Sequence, residues 1–75
     1  MNDYRGILKQ IGLNFRAERT RQNLSQEKFA ELANVHTNYI GKIERGEQNL
    51  TIRKIADLSN ALNISVKDIL YLKYL

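Results

Sequence analysis

The sequence predicts an all-α fold, a compact five-helix bundle forming one domain over residues 1–75, on three observations. Apolar residues recur at intervals of three and four along most of the chain. There is no Pro and no strictly alternating apolar run. Ser, Thr, Asn and Gly fall where the helical pattern is interrupted. A chain of this size buries only about 60% of the surface its unfolded state exposes, which leaves room for one core and no second catalytic domain.

Taken in order, Tyr4, Ile7, Leu8, Ile11 and Phe15 make the apolar stripe of a first helix from about residue 4 to 22. Gly6 and Gly12 each weaken it by up to about 1 kcal/mol relative to Ala, and a close helix contact is one reason to keep Gly12. Ser25 offers a capping oxygen to a second helix whose buried face is Phe29, Leu32 and Ala33, with Glu27 favourably placed in its first turn. Asn34 suits the left-handed conformation of a tight helix-to-helix turn. A third helix follows from about 37 to 45, anchored by Ile40 and Ile43 and stopped by Gly46. After the loop "EQNL", with Leu50 directed to the core, Thr51 caps a fourth helix carrying Ile52, Ile55, Ala56, Leu58 and Leu62 and ending near Asn63. Ser65 caps a fifth, "VKDILYLKYL", expected to run over 66–75.

Composition narrows the function classes. With no Cys and a single His, thiolate and His-rich metal sites are excluded, and no metal or other cofactor is expected. No apolar stretch approaches the roughly 18 residues of a membrane span, and the N-terminus lacks the apolar core of a signal peptide, so a cytoplasmic protein without a membrane partner is expected. No carboxylate pair, nucleophile with a base, or phosphate loop is recognisable, so an enzyme is not expected, nor is a small-molecule ligand. The net charge is +4, unevenly spread. Residues 1–25 carry five bases and two acids and residues 36–54 four and two, whereas residues 55–75 carry two of each. Such a basic region suits a polyanion, and equally an ordinary solvated surface.

The informative unit is residues 26–45: a short helix, a turn, and a second short helix that opens on His36, Thr37, Asn38 and Tyr39. Capping needs only one of these side chains, so the others are free to face something outside the protein. Ala30 is small where the two helices cross, and Val35 turns inward. That leaves Thr37, Asn38, Gly41, Lys42 and Arg45 outward, as on a helix that enters the major groove of DNA. Gly41 either permits close approach to DNA or is a tolerated small residue, and Tyr39 suits a phosphate contact and a half-buried packing role equally.

The stretch "IGLNFRAERTRQNLSQEKFAELANVHTNYIGKIERG", followed by "NLTIRKIADLSNALNIS", resembles the Cro and lambda-repressor type of helix-turn-helix regulators, the xenobiotic-response-element family, over about residues 11 to 66. "IERG" followed by "NLTI" resembles the small controller proteins of restriction-modification systems. The resemblance implies a lambda-repressor-like DNA-binding domain in which Thr37, Asn38 and Lys42 reach base edges. It implies that Gln26, Arg45 and Asn49 hold phosphates. His36 departs from the family, which more often has a Ser or Thr cap there, and is expected to be a weak cap with a phosphate contact; Tyr39 is the further candidate for a phosphate contact, through its hydroxyl. The resemblance also implies a partly buried ion pair between Arg19 and Glu44, for which a guanidinium fork is suited.

Val66, Ile69 and Leu70 can complete the core, leaving Tyr71, Leu72, Tyr74 and Leu75 as surplus apolar area. A symmetric homodimer uses such area economically, because a two-fold axis sets two recognition helices on half-sites one DNA turn, about 34 Å, apart. The expected protein is therefore a homodimeric, sequence-specific transcription regulator on a palindromic double-stranded operator, with RNA polymerase as a further partner if it activates. A different expectation from the same residues is an antitoxin or anti-repressor, a protein-interaction module whose apolar C-terminus holds the partner.

Overall fold

Each helix opens on a capping side chain, and four junctions turn on a residue in the left-handed region. The computed structural model describes residues 3–72. Five helices are present among them: α1 Tyr4–Arg21, α2 Gln26–Ala33, α3 Thr37–Glu44, α4 Ile52–Ala61 and α5 Val66–Ile69. Asp3, Ser25, His36, Thr51 and Ser65 are the N-caps, each accepting from a backbone N–H of the first turn. Asn23, Asn34 and Asn63 have φ of 60°, 56° and 56°, and Gly46 has φ of 74°.

Three of these junctions repeat one design: a left-handed Asn, an apolar residue, a cap. They are Asn23-Leu24-Ser25, Asn34-Val35-His36 and Asn63-Ile64-Ser65. In each, the backbone N–H of the apolar residue donates back into the preceding helix, Leu24 to Arg19, Val35 to Ala30 and Ile64 to Ser59. This satisfies a carbonyl that the helix end would leave open. The three apolar side chains pack against the core.

That core gathers Ile11 and Phe15 of α1, Phe29 and Ala30 of α2, Ile40 and Ile43 of α3, Ile55 and Leu58 of α4, Leu62, and Ile69 of α5. The Phe15 and Phe29 rings meet tilted, with centroids 6.1 Å apart. Ser59 is fully buried, and its hydroxyl donates to the Ile55 carbonyl at 2.8 Å, so no polar group is stranded there.

Two constraints hold α3 in place. At Gly12, an added Cβ would stand 2.2 Å from the Ile43 carbonyl oxygen, so α1 and the end of α3 meet backbone to backbone. Gly46 lies with its backbone against Lys9 of α1, where a Cβ would approach the Lys9 Cα to 2.7 Å. Beside these contacts the Arg19 guanidinium donates to both oxygens of buried Glu44, Nε to Oε2 at 2.6 Å and Nη2 to Oε1 at 3.0 Å. Arg19 Nη1 also donates to the Leu24 carbonyl at 2.7 Å.

Some expectations change. The apolar periodicity placed Tyr4, Leu32 and Ile52 in buried stripes, but all three are exposed. Tyr4 and Ile52 are the first residues of their helices and project past the core, and α2 turns Phe29 and Ala30 inward instead of Leu32. The fifth helix, expected over 66–75, ends at Ile69 with Leu70 as its cap. The Asn14 side chain of α1 takes the carbonyls of Ile69 and Tyr71, which fixes the chain in a different course. Leu72, expected as surplus, is half-buried against the core, while Tyr71 is exposed. Tyr74 and Leu75 lie outside the described residues.

Two substitutions test these constraints. Gly12→Ala forces side-chain carbon onto backbone and is expected to cost at least about 2 kcal/mol, read as a lower urea midpoint, because neither helix can yield locally. Glu44→Ala leaves a guanidinium without its carboxylate and is expected to cost about 3–5 kcal/mol in the same assay. An unchanged melting temperature in either variant contradicts the corresponding constraint.

Candidate nucleic-acid interface

The α2–turn–α3 unit is a helix pair joined by Asn34, Val35 and His36. The packing of Ile40 and Ile43 decides which face of α3 is left outside. Ile40, Ile43 and Glu44 are buried, so Thr37, Asn38, Lys42 and Arg45 fall on the outer side, with Asn38, Lys42 and Arg45 exposed. Together with Gln26 and Gly41 these four residues line an open cleft of about 380 Å³. Its floor is Gly41, where a Cβ would meet only the flexible end of Arg45 at 3.1 Å and Gln26 Oε1 at 3.9 Å.

Each member of the cleft brings defined hydrogen-bonding capacity. Gln26 Nε2 donates to Glu44 Oε1 at 3.0 Å. Because a carboxylate only accepts, the amide must face it with its nitrogen, which leaves one N–H and the carbonyl oxygen for the cleft. Asn38 presents an amide able to pair bidentately with adenine, and Thr37 a hydroxyl and a methyl. Lys42 takes part in no ion pair among the described residues, so its ammonium faces solvent uncompensated. Arg45 Nε donates to Glu47 at 3.1 Å, both side chains well exposed. An exposed pair of this kind is worth about 0–1 kcal/mol and yields readily to a phosphate.

His36 and Tyr39 flank the cleft without lining it. His36 Nδ1 accepts from the Asn38 backbone N–H at 3.1 Å, so the ring caps α3 and, when neutral, carries its proton on Nε2, a free donor. The Tyr39 ring is half-buried against the core, and burial pushes its hydroxyl pKa up, further from neutrality than an ordinary phenol, which is already a hydrogen-bond donor at neutral pH. Lys54 of α4 stands over the Tyr39 ring, its ammonium 5.7 Å from the centroid.

Asn49 is not brought to the cleft. After Gly46 the chain runs back over the start of α1, and Asn49 lies exposed beside Tyr4, Arg5 and Leu8. Arg19, partly buried, and Glu44, buried, sit behind the cleft and reach it only through Gln26. No helix among the described residues is long and apolar enough to cross a membrane.

Comparison with known proteins agrees with this geometry. The helix-turn-helix family matches residues 15–69, which include all of α2, α3, α4 and α5. The control protein C.SmaI of Serratia marcescens is 46% identical over 57 residues, covering 76% of this chain and 68% of that protein. The restriction-modification controller protein C.AhdI of Aeromonas hydrophila superposes with a TM-score of 0.79 at 35% identity, over 83% of this chain and 94% of its own. A tetramer of the controller protein C.Esp1396I, in complex with its natural 35 base-pair operator, superposes with a TM-score of 0.75 at 28% identity, over 85% of this chain and 95% of that one. The chain belongs to the helix-turn-helix family of transcription regulators and, within it, to the restriction-modification controller proteins.

Proposed function

We propose that this protein is a homodimeric, sequence-specific DNA-binding regulator that acts in the cytoplasm on a palindromic operator of its own restriction-modification operon. The observation that carries the reading is the cleft at the exposed start of α3, where Gln26, Thr37, Asn38, Lys42 and Arg45 converge over a glycine floor. An eight-residue helix held by two buried Ile and pinned at its far end can enter the major groove with only its first turns. Base reading falls to Thr37, Asn38 and Lys42.

Phosphate holding falls to groups that donate around the rim: Gln26 through its remaining N–H, His36 through Nε2, Tyr39 through its hydroxyl, and Arg45. These contacts supply affinity and register, and the base contacts supply choice. Asn49, away from the cleft, is left a flanking phosphate at most. As in the operator complex of the C.Esp1396I tetramer, copies of the chain would share one operator. Activation would add a contact with RNA polymerase beside the bound dimer.

The test is a fluorescence-anisotropy titration against DNA from immediately upstream of the gene, beside a scrambled duplex, at about 0.1 and 0.3 M salt. The upstream DNA is expected to bind about 10³-fold more tightly, with a steep loss at the higher salt. Asn38→Ala and Lys42→Ala should each cost about 1–3 kcal/mol on the operator and little on the scrambled duplex. Equal, weak binding to both duplexes overturns the reading. Gly41→Ala is expected to keep or raise the melting temperature, since removing a mid-helix Gly is worth up to about 1 kcal/mol, while weakening operator binding by filling the cleft floor. Retained affinity would make Gly41 an incidental small residue.

A further inference from the structure

Gln26 carries an amide into the cleft, and Glu44 decides which end of it faces out. The amide nitrogen donates to Glu44 Oε1 at 3.0 Å, and that oxygen also takes Arg19 Nη2 at 3.0 Å. A carboxylate has no hydrogen to give, so an amide turned the other way would set oxygen against oxygen beside a buried charge. The carbonyl oxygen is therefore the end that projects: Gln26 Oε1 stands 3.9 Å from the point where a Cβ on Gly41 would be, over the floor of the cleft. Among the described residues no hydrogen bond ends on it, since Arg45, whose guanidinium lies over the same glycine, gives its Nε to Glu47.

That orientation is wrong for a phosphate and right for a base. Phosphate oxygens only accept, so an amide set to hold the DNA backbone through the cleft would offer its nitrogen there. The major groove carries donors as well, the exocyclic amines N6 of adenine and N4 of cytosine. Of the side chains that line the cleft, Lys42 and Arg45 can only donate, and Thr37 and Asn38 can do either by turning. Gln26 Oε1 is thus the side-chain acceptor of the cleft whose sense is fixed, and a largely buried ion pair fixes it.

We propose that Gln26 is a specificity-determining residue: its carbonyl oxygen takes the exocyclic amine of an adenine or a cytosine in the major groove, so that α2 reads bases beside α3. The proposal rests on the DNA-binding reading above and goes beyond the phosphate contact assigned there to the other N–H of the same amide. Its discrimination is one of amino against keto bases. Guanine O6 or thymine O4 in the same place meets Oε1 acceptor against acceptor, and Glu44 bars the amide from turning to accommodate it. Each base pair places its amine on one strand and its keto oxygen on the other, so the residue reads which strand bears the amine.

Fluorescence anisotropy of the full chain against the upstream operator and a panel of its single base-pair variants tests the proposal. The protein variants are Gln26→Ala and Gln26→Met, the second of which keeps the length and removes both polar atoms. At one pair in each half-site the parent is expected to bind adenine or cytosine on one strand about tenfold more tightly than guanine or thymine. Both Gln26 variants should lose that preference and keep the parent's preferences at the other pairs. Both should also keep the parent's helical circular dichroism, because the Ser25 cap of α2 is untouched. Uniform weakening across the panel makes Gln26 a phosphate contact alone and overturns the proposal, as does unchanged binding. Loss of helical signal in both variants makes Gln26 a folding residue and overturns it as well. Equal, weak binding of the parent to the operator and to a scrambled duplex instead overturns the DNA-binding reading on which the proposal stands.

Discussion

The largely buried Arg19–Glu44 pair is the constraint from which the arrangement of the DNA-facing side follows. Its guanidinium and carboxylate hold α1, the turn into α2 through Leu24, the start of α2 through Gln26, and the end of α3 in one hydrogen-bonded unit. A buried ion pair adds little net stability over an apolar replacement, because desolvation offsets most of the attraction. What it supplies here is selection among packings. Apolar side chains tolerate small rotations of one helix on another, whereas a planar guanidinium that gives two donors to one carboxylate and a third to the Leu24 carbonyl does not.

Close backbone contact does the rest. Because Gly12 lets α1 touch the carbonyl end of α3, the recognition helix is anchored where it is farthest from the proposed DNA, and its polar first turns extend from a fixed base. The same arrangement explains the polar opening of α3. One side chain, His36, caps the helix, and the next two, Thr37 and Asn38, are left without a structural task and face outward.

Periodicity in the sequence was enough to locate all five helices, since buried positions such as Phe15, Ile40, Ile43 and Leu58 repeat at helical spacing and Asn34 and Gly46 mark turns by their conformational preference. It fails where a helix outruns the core, because spacing alone places Tyr4 and Ile52 with their inward neighbours. The C-terminal segment was opaque for a different reason. Its local preference is helical, and what ends the helix is an amide 55 residues away, a partner that no window of sequence contains. The cleft was legible in part: Thr37, Asn38, Lys42 and Arg45 follow from the buried stripe of α3, whereas the tie between Gln26 and Glu44 and the withdrawal of Asn49 toward α1 depend on how helices cross.

The three Asn-apolar-cap junctions keep each connection to three or four residues, with its apolar residue packed against the core and its Asn and cap committed to hydrogen bonds. A junction of that kind has no slack with which to re-aim a helix, and α3 cannot swing to follow a groove of unfavourable width. The adjustment on binding must then come from the duplex. Base steps that the protein never touches would be selected for the ease with which they bend or twist toward this rigid surface, so part of the operator's identity would be written in the stiffness of DNA instead of in any side chain.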